Sequence, residues 1–251
     1  MILKLLSYNI RFGGSGREVQ LAKVIGDVSP DLVVFQEATD TRVIERLAEA
    51  TKFPFRAAQR AHSIAYLSRV PIAYHEWHYP AGAKHSFLEI VLEASETRIF
   101  GLHLSAMFSK WSERRRAREI RALLQGIKRH QEGFHVLVGD FNTLAPGEIL
   151  NVRPMPAWLR ALVWMSGRDI QRETIQVMLD ANYLDGYRFL HPDVKGYTFP
   201  TWEPHVRLDY VFVPKVFANR LKYCEVVSQP AEVAIASDHL PLLAHLEISE
   251  S

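Results

Sequence analysis

One short stretch, residues 136–142, restricts what this chain can fold into more than any other. It begins with the apolar run Val-Leu-Val, which has no polar alternation and therefore predicts a buried strand. Gly139 allows a sharp turn of the backbone, and Asp140 and Asn142 follow it. On an extended backbone, residues two apart project from the same side, so we expect the acid and the amide to point together.

The stretch alone leaves two interpretations open. A carboxylate and a carboxamide at the end of a buried strand are costly unless they bind something. Alternatively, Asp140 caps the next helix and Asn142 forms a turn, because Asp and Asn are common at both positions. The rest of the chain is needed to decide between a binding site and a local turn.

Composition narrows the class of protein. The 251 residues are 48% hydrophobic and 23% charged, which predicts a globular protein with a large core. A net charge of +2 permits a polyanionic partner without requiring one. Cys224 is the only cysteine, which excludes an internal disulfide and a cysteine-cluster metal site. The polar-interrupted N-terminal stretch indicates a first strand and no signal peptide, and no run is long enough to span a membrane, so we expect a cytoplasmic protein.

Apolar strands alternate with amphipathic helices along the whole chain, which favours sheets covered by helices. The pattern predicts helices at 17–28, at 39–50 with Thr39 as the cap, at 112–129 and at 168–180. It predicts strands at 2–10, 31–35, 62–67, 72–79, 86–93, 97–104, 134–139, 197–202, 206–213, 221–227 and 242–248. No linker divides the chain, so we expect a single domain over 1–251 with an insertion near 145–167.

Acid, amide or imidazole groups stand where the predicted strands stop. Each alone has a structural explanation: His103 as a buried core histidine, Asp209 as the partner of Arg207, and Asp238 as a turn cap. Open sheets tend to bind ligands at strand ends. Because so many strand ends carry such residues, we expect them to form one shared site. The residues concerned are Asn9, Glu37, His103, Asp140, Asn142, Asp209, Asp238 and His239.

The residue types in this set indicate a chemistry. Hard oxygen ligands suit Mg²⁺ or Mn²⁺ better than zinc. Few protein ligands are needed, because Mg²⁺ keeps several waters and shares phosphate oxygens. Histidines beside such a site suit phosphate contact and proton transfer. Metal-assisted hydrolysis of a phosphate ester uses this combination.

Seven motifs between residues 7 and 241 resemble the endonuclease/exonuclease/phosphatase superfamily and follow its order. This superfamily includes pancreatic deoxyribonuclease, apurinic/apyrimidinic endonucleases, neutral sphingomyelinases, inositol-polyphosphate 5-phosphatases and tyrosyl-DNA phosphodiesterases. The resemblance implies an α/β fold, a four-layered α/β sandwich of two packed, mainly antiparallel sheets flanked by helices. The motifs are Ser7-Tyr8-Asn9-Ile10, Phe35-Gln36-Glu37, Tyr66-Leu67-Ser68-Arg69, His103-Leu104, Gly139-Asp140-Phe141-Asn142, Arg207-Leu208-Asp209-Tyr210 and Ser237-Asp238-His239-Leu240-Pro241.

The same resemblance implies roles on the metal side of the site. Glu37 resembles the main ligand of the Mg²⁺ or Mn²⁺ ion, with Asn9 beside it. Asp238 resembles a further acid on the metal side that acts directly or through a water.

On the phosphate side, Asp140 resembles the acid that orients or deprotonates the attacking water, and Asn142 a phosphate contact. His239 resembles the histidine that contacts the scissile phosphate, with Asp209 as its partner. His103 matches a second phosphate-side histidine. The resemblance does not decide which group is the general base.

Three functions remain open at this point. The favoured one is a divalent-metal-dependent phosphodiester hydrolase, a nuclease whose substrate and partner is nucleic acid. An abasic-site specialist is less favoured, because residues 197–202 replace a tryptophan-rich segment of those enzymes. The second is a phosphoesterase acting on phospholipid head groups or phosphorylated small molecules, which the apolar stretch 155–165 keeps open. The third is a non-catalytic nucleic-acid-binding relative, which is disfavoured because every catalytic group is retained.

An arginine-rich segment bears on the substrate. The helix predicted after His103 carries the basic cluster of residues 112–118, with Arg114, Arg115, Arg116 and Arg118, and Arg121 follows it. They form either a solvated helix face or a contact to a phosphate backbone.

Overall fold

The computed structural model describes residues 1–81, 83, 85–95, 97–106, 110–148, 160 and 172–249. The strands in these ranges are β1 (Ile2–Asn9), β2 (Leu32–Gln36), β3 (Phe55–Ala57), β4 (Ala65–Ser68), β5 (Ile72–His78), β6 (Phe87–Leu92), β7 (Arg98–His103), β8 (His135–Asp140), β9 (Tyr183–Asp185), β10 (Asp209–Pro214), β11 (Leu221–Val226) and β12 (Leu242–Glu247). The α-helices in the same ranges are α1 (Glu18–Val28), α2 (Thr41–Thr51), α3 (Lys110–Gly126), α4 (Glu173–Asp180), α5 (Gly186–Leu190) and α6 (Val233–Ala236).

The strands of the described ranges form two six-stranded sheets. One has the order β11-β12-β1-β2-β4-β3 and the other the order β5-β6-β7-β8-β10-β9. Each sheet contains one parallel pair at its centre, β1–β2 and β7–β8, and its other neighbours are antiparallel. A parallel pair needs a crossover, and helices α1 and α3 supply it. The predicted mainly antiparallel sheets are confirmed.

Side-chain alternation along the strands creates the layers. In β1, Leu3 and Leu5 pack into the core between the two sheets, whereas Leu6 and Tyr8 pack beneath α1 and α2. The outer face of the other sheet packs against α3 and α4 in a third core, which includes Phe100 and other aromatic rings. Helices therefore cover both outer faces, and the predicted four-layered sandwich is confirmed.

The same alternation carries polar side chains into the space between the sheets. Residues 3 and 5 of β1 face the inner core, so Asn9 belongs to that face too. In β8, residues 136 and 138 face inward, which places Asp140 on the inner side. Strand pairing sets His103 and Asp209 on either side of Asp140, one on β7 and one on β10. The strand ends of both sheets thus direct these polar groups to one edge of the sandwich.

Several predicted boundaries were wrong for local reasons. Helix α2 is capped by Asp40, whose carboxylate accepts the Arg42 N–H at 3.1 Å, and not by Thr39. Residues 197–202 do not form a strand, since only an isolated bridge joins Phe199 to Val206. The predicted strand at 206–213 begins at Asp209, where pairing with β8 starts.

The periodic pattern of the sequence did not predict two short strands, and the structure leaves most of one predicted segment undescribed. Strands β3 and β9 were missed because three residues are too few to show an alternation. Most of the predicted insertion at 145–167, including the apolar stretch at 155–165 apart from Arg160, lies outside the described residues. Among the helices that the structure describes, none has the length and apolar character needed to cross a membrane.

We predict that Gly139→Ala destabilises the fold by about 3 kcal/mol or more. Gly139 has a φ of 146°, and an added Cβ would lie 1.9 Å from the Leu102 carbonyl oxygen in the neighbouring strand β7. The substitution therefore pushes apart the strands that carry His103 and Asp140. Denaturant unfolding measures the loss.

Gly26→Ala is the matched control. Gly26 lies inside α1, and an added Cβ would meet no atom within 4 Å. It should raise stability by about 0.5–1 kcal/mol, since alanine is the better helix former. Equal stability of wild type and Gly139→Ala would contradict the proposed strand contact.

Candidate functional site

The buried carboxylate of Asp140 lies at the centre of the polar cluster. Its Oδ2 accepts a hydrogen bond from Asn9 Nδ2 at 3.0 Å. The Nε2 atoms of His239 and His103 lie 3.8 and 3.9 Å from the same oxygen. Its Oδ1 accepts the Asn142 N–H at 2.8 Å. One carboxylate oxygen thus completes a local turn with Asn142, while the other faces the polar cluster.

Asn9 links Asp140 to the acid at the end of β2. Its Nδ2 also lies 3.3 Å from Glu37 Oε1, and its Oδ1 accepts the Arg11 N–H at 3.0 Å. Glu37 Oε2 accepts the Phe12 N–H at 2.6 Å. Glu37 has a φ of 57°, a conformation that non-glycine residues rarely adopt outside functional sites and turns. The amide of Asn9 therefore bridges two carboxylates that come from different sheets.

His239 and Asp209 form a buried pair. His239 Nδ1 and Asp209 Oδ2 are 2.9 Å apart, which leaves His239 Nε2 on the side of Asp140. The Ser237 hydroxyl accepts the His239 N–H at 3.3 Å and donates to the Asn9 carbonyl at 2.6 Å. The loop that carries His239 is therefore tied to the end of β1, across from the strand that carries Asp209.

Asp209 does not pair with Arg207, the alternative that the sequence left open. The guanidinium of Arg207 is buried and donates two hydrogen bonds to Asp185, at 2.8 and 2.6 Å. It donates two more to Glu148 Oε1, at 2.8 and 2.6 Å, and lies over the Tyr210 ring. With its charge satisfied there, Arg207 leaves Asp209 to His239.

Asp238 stands next to this pair at the rim of the cluster. Its Oδ2 lies 3.3 Å from Arg11 Nε, and its carbonyl accepts the Thr201 N–H at 2.9 Å. Sequence reasoning missed Arg11 as a site residue. Its position two residues after Asn9, just beyond a strand end, was the available signal.

Two predicted site residues differ from expectation in their surroundings. Asn142 has a φ of 51°, so it does not continue the strand, and its Nδ2 donates to the Leu104 carbonyl at 2.9 Å. The expectation that it projects alongside Asp140 on an extended backbone was wrong, because the strand ends at Asp140. His103 stacks on the His85 ring with centroids 5.7 Å apart, and its buried Nδ1 has no hydrogen-bond partner among the described residues.

The electrostatic environment separates the two histidines. Burial lowers the pKa of His239, but the carboxylates of Asp209 and Asp140 outweigh it and bring that pKa to about 10. Burial lowers the pKa of His103 to about 4. Burial also raises the pKa of Asp140 to about 7, against the opposing charge of His239. At neutral pH without a bound ion, His239 is an imidazolium and His103 is a neutral imidazole.

The donor set fits a divalent cation. Among the described residues, one ligand atom from each of Asp140, Asp209 and His239 lies within 4.8 Å of the others. Glu37 stands beyond Asn9 with carboxylate oxygens directed to the same cluster. Several acids gathered around a buried site repel one another, and a divalent cation relieves that repulsion. Carboxylate and amide oxygens are the ligands that Mg²⁺ and Mn²⁺ prefer.

Comparisons with known proteins agree with this fold. A family model described as "Endonuclease/Exonuclease/phosphatase family" matches residues 6–239. The 3′–5′ exonuclease NExo from Neisseria meningitidis aligns with a TM-score of 0.73 at 20% identity, covering 98% of this chain and 100% of that chain. An AP endonuclease from Archaeoglobus fulgidus aligns with a TM-score of 0.74 at 16% identity, covering 98% and 100%.

A second structure, of the 3′ phosphatase NExo from Neisseria bound to a product DNA hairpin, aligns with a TM-score of 0.71 at 19% identity, covering 98% of this chain and 99% of that chain. At these identities the likeness establishes the fold. The search of curated proteins found no match.

We predict that Asp209→Asn lowers the pKa of His239 by about 1–3 pH units. The carboxylate of Asp209 stabilises the His239 imidazolium. Without that charge, burial, which favours the neutral ring, lowers the pKa of His239. Imidazole NMR of the protein in chelator measures the change. Asp193→Asn removes an exposed acid and is the control that should leave His239 unchanged. An unaltered pKa in Asp209→Asn would contradict the pairing.

Proposed function

The chain belongs to the Endonuclease/Exonuclease/phosphatase family, and on that premise we propose that it is a divalent-metal-dependent phosphodiester hydrolase acting on nucleic acid. The observation that carries the proposal is the convergence of the Asn9 amide and two histidines on Asp140, with Glu37 bonded to that amide and Asp209 to one of the histidines. Among the structural neighbours, the Neisseria 3′ phosphatase is bound to a product DNA hairpin, and the others are an exonuclease and an AP endonuclease, which supports nucleic acid as the substrate class.

Mg²⁺ or Mn²⁺ is proposed to be held by oxygens of Glu37 and Asp238, because Asp209 and His239 of the close triad are already bonded to each other at 2.9 Å. Asn9 was predicted as a ligand, but its Oδ1 already accepts the Arg11 N–H and its Nδ2 faces two carboxylates. We therefore assign Asn9 to orienting Glu37 beside the ion. When bound, the ion supplies charge stabilisation to the phosphate oxygens.

The remaining site residues are assigned to the phosphate and the attacking water. Asp140 orients the water through Oδ2, because its Oδ1 is held by Asn142. His239 presents Nε2 to the phosphate as a charged donor, since Asp209 holds Nδ1 and stabilises the imidazolium. His103, kept neutral by burial, lies on the opposite side of Asp140 and contacts a second phosphate oxygen.

The other two functions have less support. The lipid or small-molecule alternative rested on residues 155–165, of which the structure describes only Arg160. A non-catalytic relative should lack a metal-side or proton-transfer group, whereas this chain brings all the predicted groups to one edge of the sandwich. Nucleic-acid hydrolysis therefore remains the proposal that the geometry supports best.

We predict that Glu37→Ala lowers the rate of DNA hydrolysis at least about 100-fold. Metal affinity, measured by calorimetry, should fall at least about tenfold, because even the loss of outer-shell groups costs that much. Chelator should abolish wild-type hydrolysis, and Mg²⁺ or Mn²⁺ should restore it.

Glu49→Ala is the matched control, because Glu49 is an exposed acid on α2. It should retain both the rate and the metal affinity. Full activity of Glu37→Ala in chelator would refute the metal-dependent mechanism.

Some arginines of α3 are exposed to solvent, and another is buried in an ion pair. Arg114 and Arg118 are exposed, whereas Arg116 is buried, pairs with Glu113 at 2.8 Å and donates to the Ser105 carbonyl at 2.8 Å. That last bond ties α3 to the loop after His103. The exposed arginines are therefore displayed on a helix that is anchored close to the site.

We predict that replacing Arg114 and Arg118 with Gln flattens the dependence of DNA binding on salt. Each phosphate contact contributes about 0.7–0.9 to the slope of log affinity against log salt, so the loss of two contacts should reduce the slope by up to about 1.8. Lys128→Gln with Arg129→Gln, two exposed cations beyond the far end of α3, is the control and should keep the wild-type slope. Identical slopes in all three proteins would assign Arg114 and Arg118 to a solvated face.

A further inference from the structure

Two large aromatic side chains stand exposed beside the candidate site. Phe12 is 78% exposed and Trp202 is 67% exposed. A single exposed aromatic residue on a protein surface needs no explanation, and others exist on this chain. These two differ because both are fixed to residues of the site by their neighbours in sequence.

Phe12 is held in place by the metal-side acid. Its backbone N–H donates to Glu37 Oε2 at 2.6 Å, and the next N–H, of Gly13, donates to the Glu37 carbonyl at 2.9 Å. Phe12 has a φ of 47°, a costly conformation for a bulky residue. The guanidinium of Arg11 lies 5.5 Å from the Phe12 ring centroid and adds a positive charge beside it.

Trp202 is held in place from the opposite side of the cluster. Its neighbour Thr201 donates its N–H to the Asp238 carbonyl at 2.9 Å and its hydroxyl to the Ser237 carbonyl at 3.0 Å. The Trp202 ring lies edge-on to the Phe199 ring. The centroid of the Phe199 ring in turn lies 4.9 Å from that of the His239 ring. Trp202 is therefore the exposed end of a row of rings that starts at a site histidine.

Asp238 joins the two aromatic loops. Arg11, the residue before Phe12, pairs with its Oδ2 at 3.3 Å, and Thr201, the residue before Trp202, binds its carbonyl. Both exposed rings are thus one residue away from a direct contact to the same site acid. Their neighbourhood combines flat apolar surface with the positive charge of Arg11, which matches a nucleobase next to a phosphate.

We propose that Phe12 and Trp202 form a stacking surface for unpaired nucleobases, so that the protein selects single-stranded or frayed nucleic acid over intact duplex. The proposal rests on the proposed function, because it names the substrate class of the same site. Every base offers a flat face to an aromatic ring, so stacking gives affinity without reading sequence. In an intact duplex those faces are occupied by neighbouring base pairs and are closed to the protein.

The test is equilibrium binding, measured by fluorescence anisotropy in chelator so that no substrate is consumed. The probes are a labelled single-stranded oligonucleotide and a blunt duplex of the same sequence, with wild type, Phe12→Ala, Trp202→Ala and the double variant. Each substitution should weaken single-strand binding by about 5- to 100-fold, and duplex binding should change by less than about twofold. Phe189→Ala removes an equally large exposed ring from α5 and is the matched control that should bind like wild type.

Conservative variants separate stacking from a disturbed site. Phe12→Tyr and Trp202→Phe keep a ring and should retain most single-strand affinity, whereas Phe12→Leu keeps apolar bulk without a ring and should lose it. Wild-type hydrolysis of bis(p-nitrophenyl) phosphate, which has no base, tests the hydrolase separately from the stacking surface. Unchanged single-strand affinity in the double variant, or an equal loss for duplex, would overturn the proposal.

Discussion

The carboxylate of Asp140 is buried where the two sheets meet, and the rest of the site is arranged around it. A buried acid is costly unless it is neutralised or hydrogen-bonded, and a partner for Asp140 comes from each sheet. Asn9 reaches it from β1 of one sheet, and His103 stands next to it on β7 of the other. The contacts that bring the polar cluster together therefore also link the two sheets.

Two buried ion-pair networks keep the surrounding charges out of the site. Glu113 accepts hydrogen bonds from Arg116, from the Thr143 hydroxyl at 2.7 Å and from the Thr174 N–H at 2.8 Å. It thereby joins α3 and α4 to the loop just after Asn142. On the other side of Asp140, Arg207 joins the segments that carry its two carboxylate partners, Glu148 and Asp185. Burying such a pair costs desolvation free energy that offsets much of its attraction, although removing one partner would leave a buried charge. These networks therefore fix loop positions more than they add stability.

Each sheet contributes residues to the site from the ends of its central parallel strand pair. A parallel pair with a helical crossover brings two strand ends side by side, β1 with β2 and β7 with β8. The first pair supplies Asn9 and leads into Glu37, and the second supplies His103 and Asp140. The loop that carries Asp238 and His239 completes this cluster and is bonded to both exposed aromatic loops. In the proposed function, the metal site and the stacking surface therefore share one structural support.

The sequence by itself predicted the layers, the central strands and a set of polar residues that the fold gathers at one edge, because apolar periodicity is local and because motif order survives low overall identity. It did not determine the short strands β3 and β9, the loss of a strand at 197–202, or the turn at Asn142, since these depend on pairing and hydrogen bonds between distant segments. Only the tertiary structure decided that Arg207 binds Asp185 and Glu148 and leaves Asp209 to His239. Arginine can pair with any acid within reach, so its choice is made by burial and geometry, which no spacing along the chain encodes.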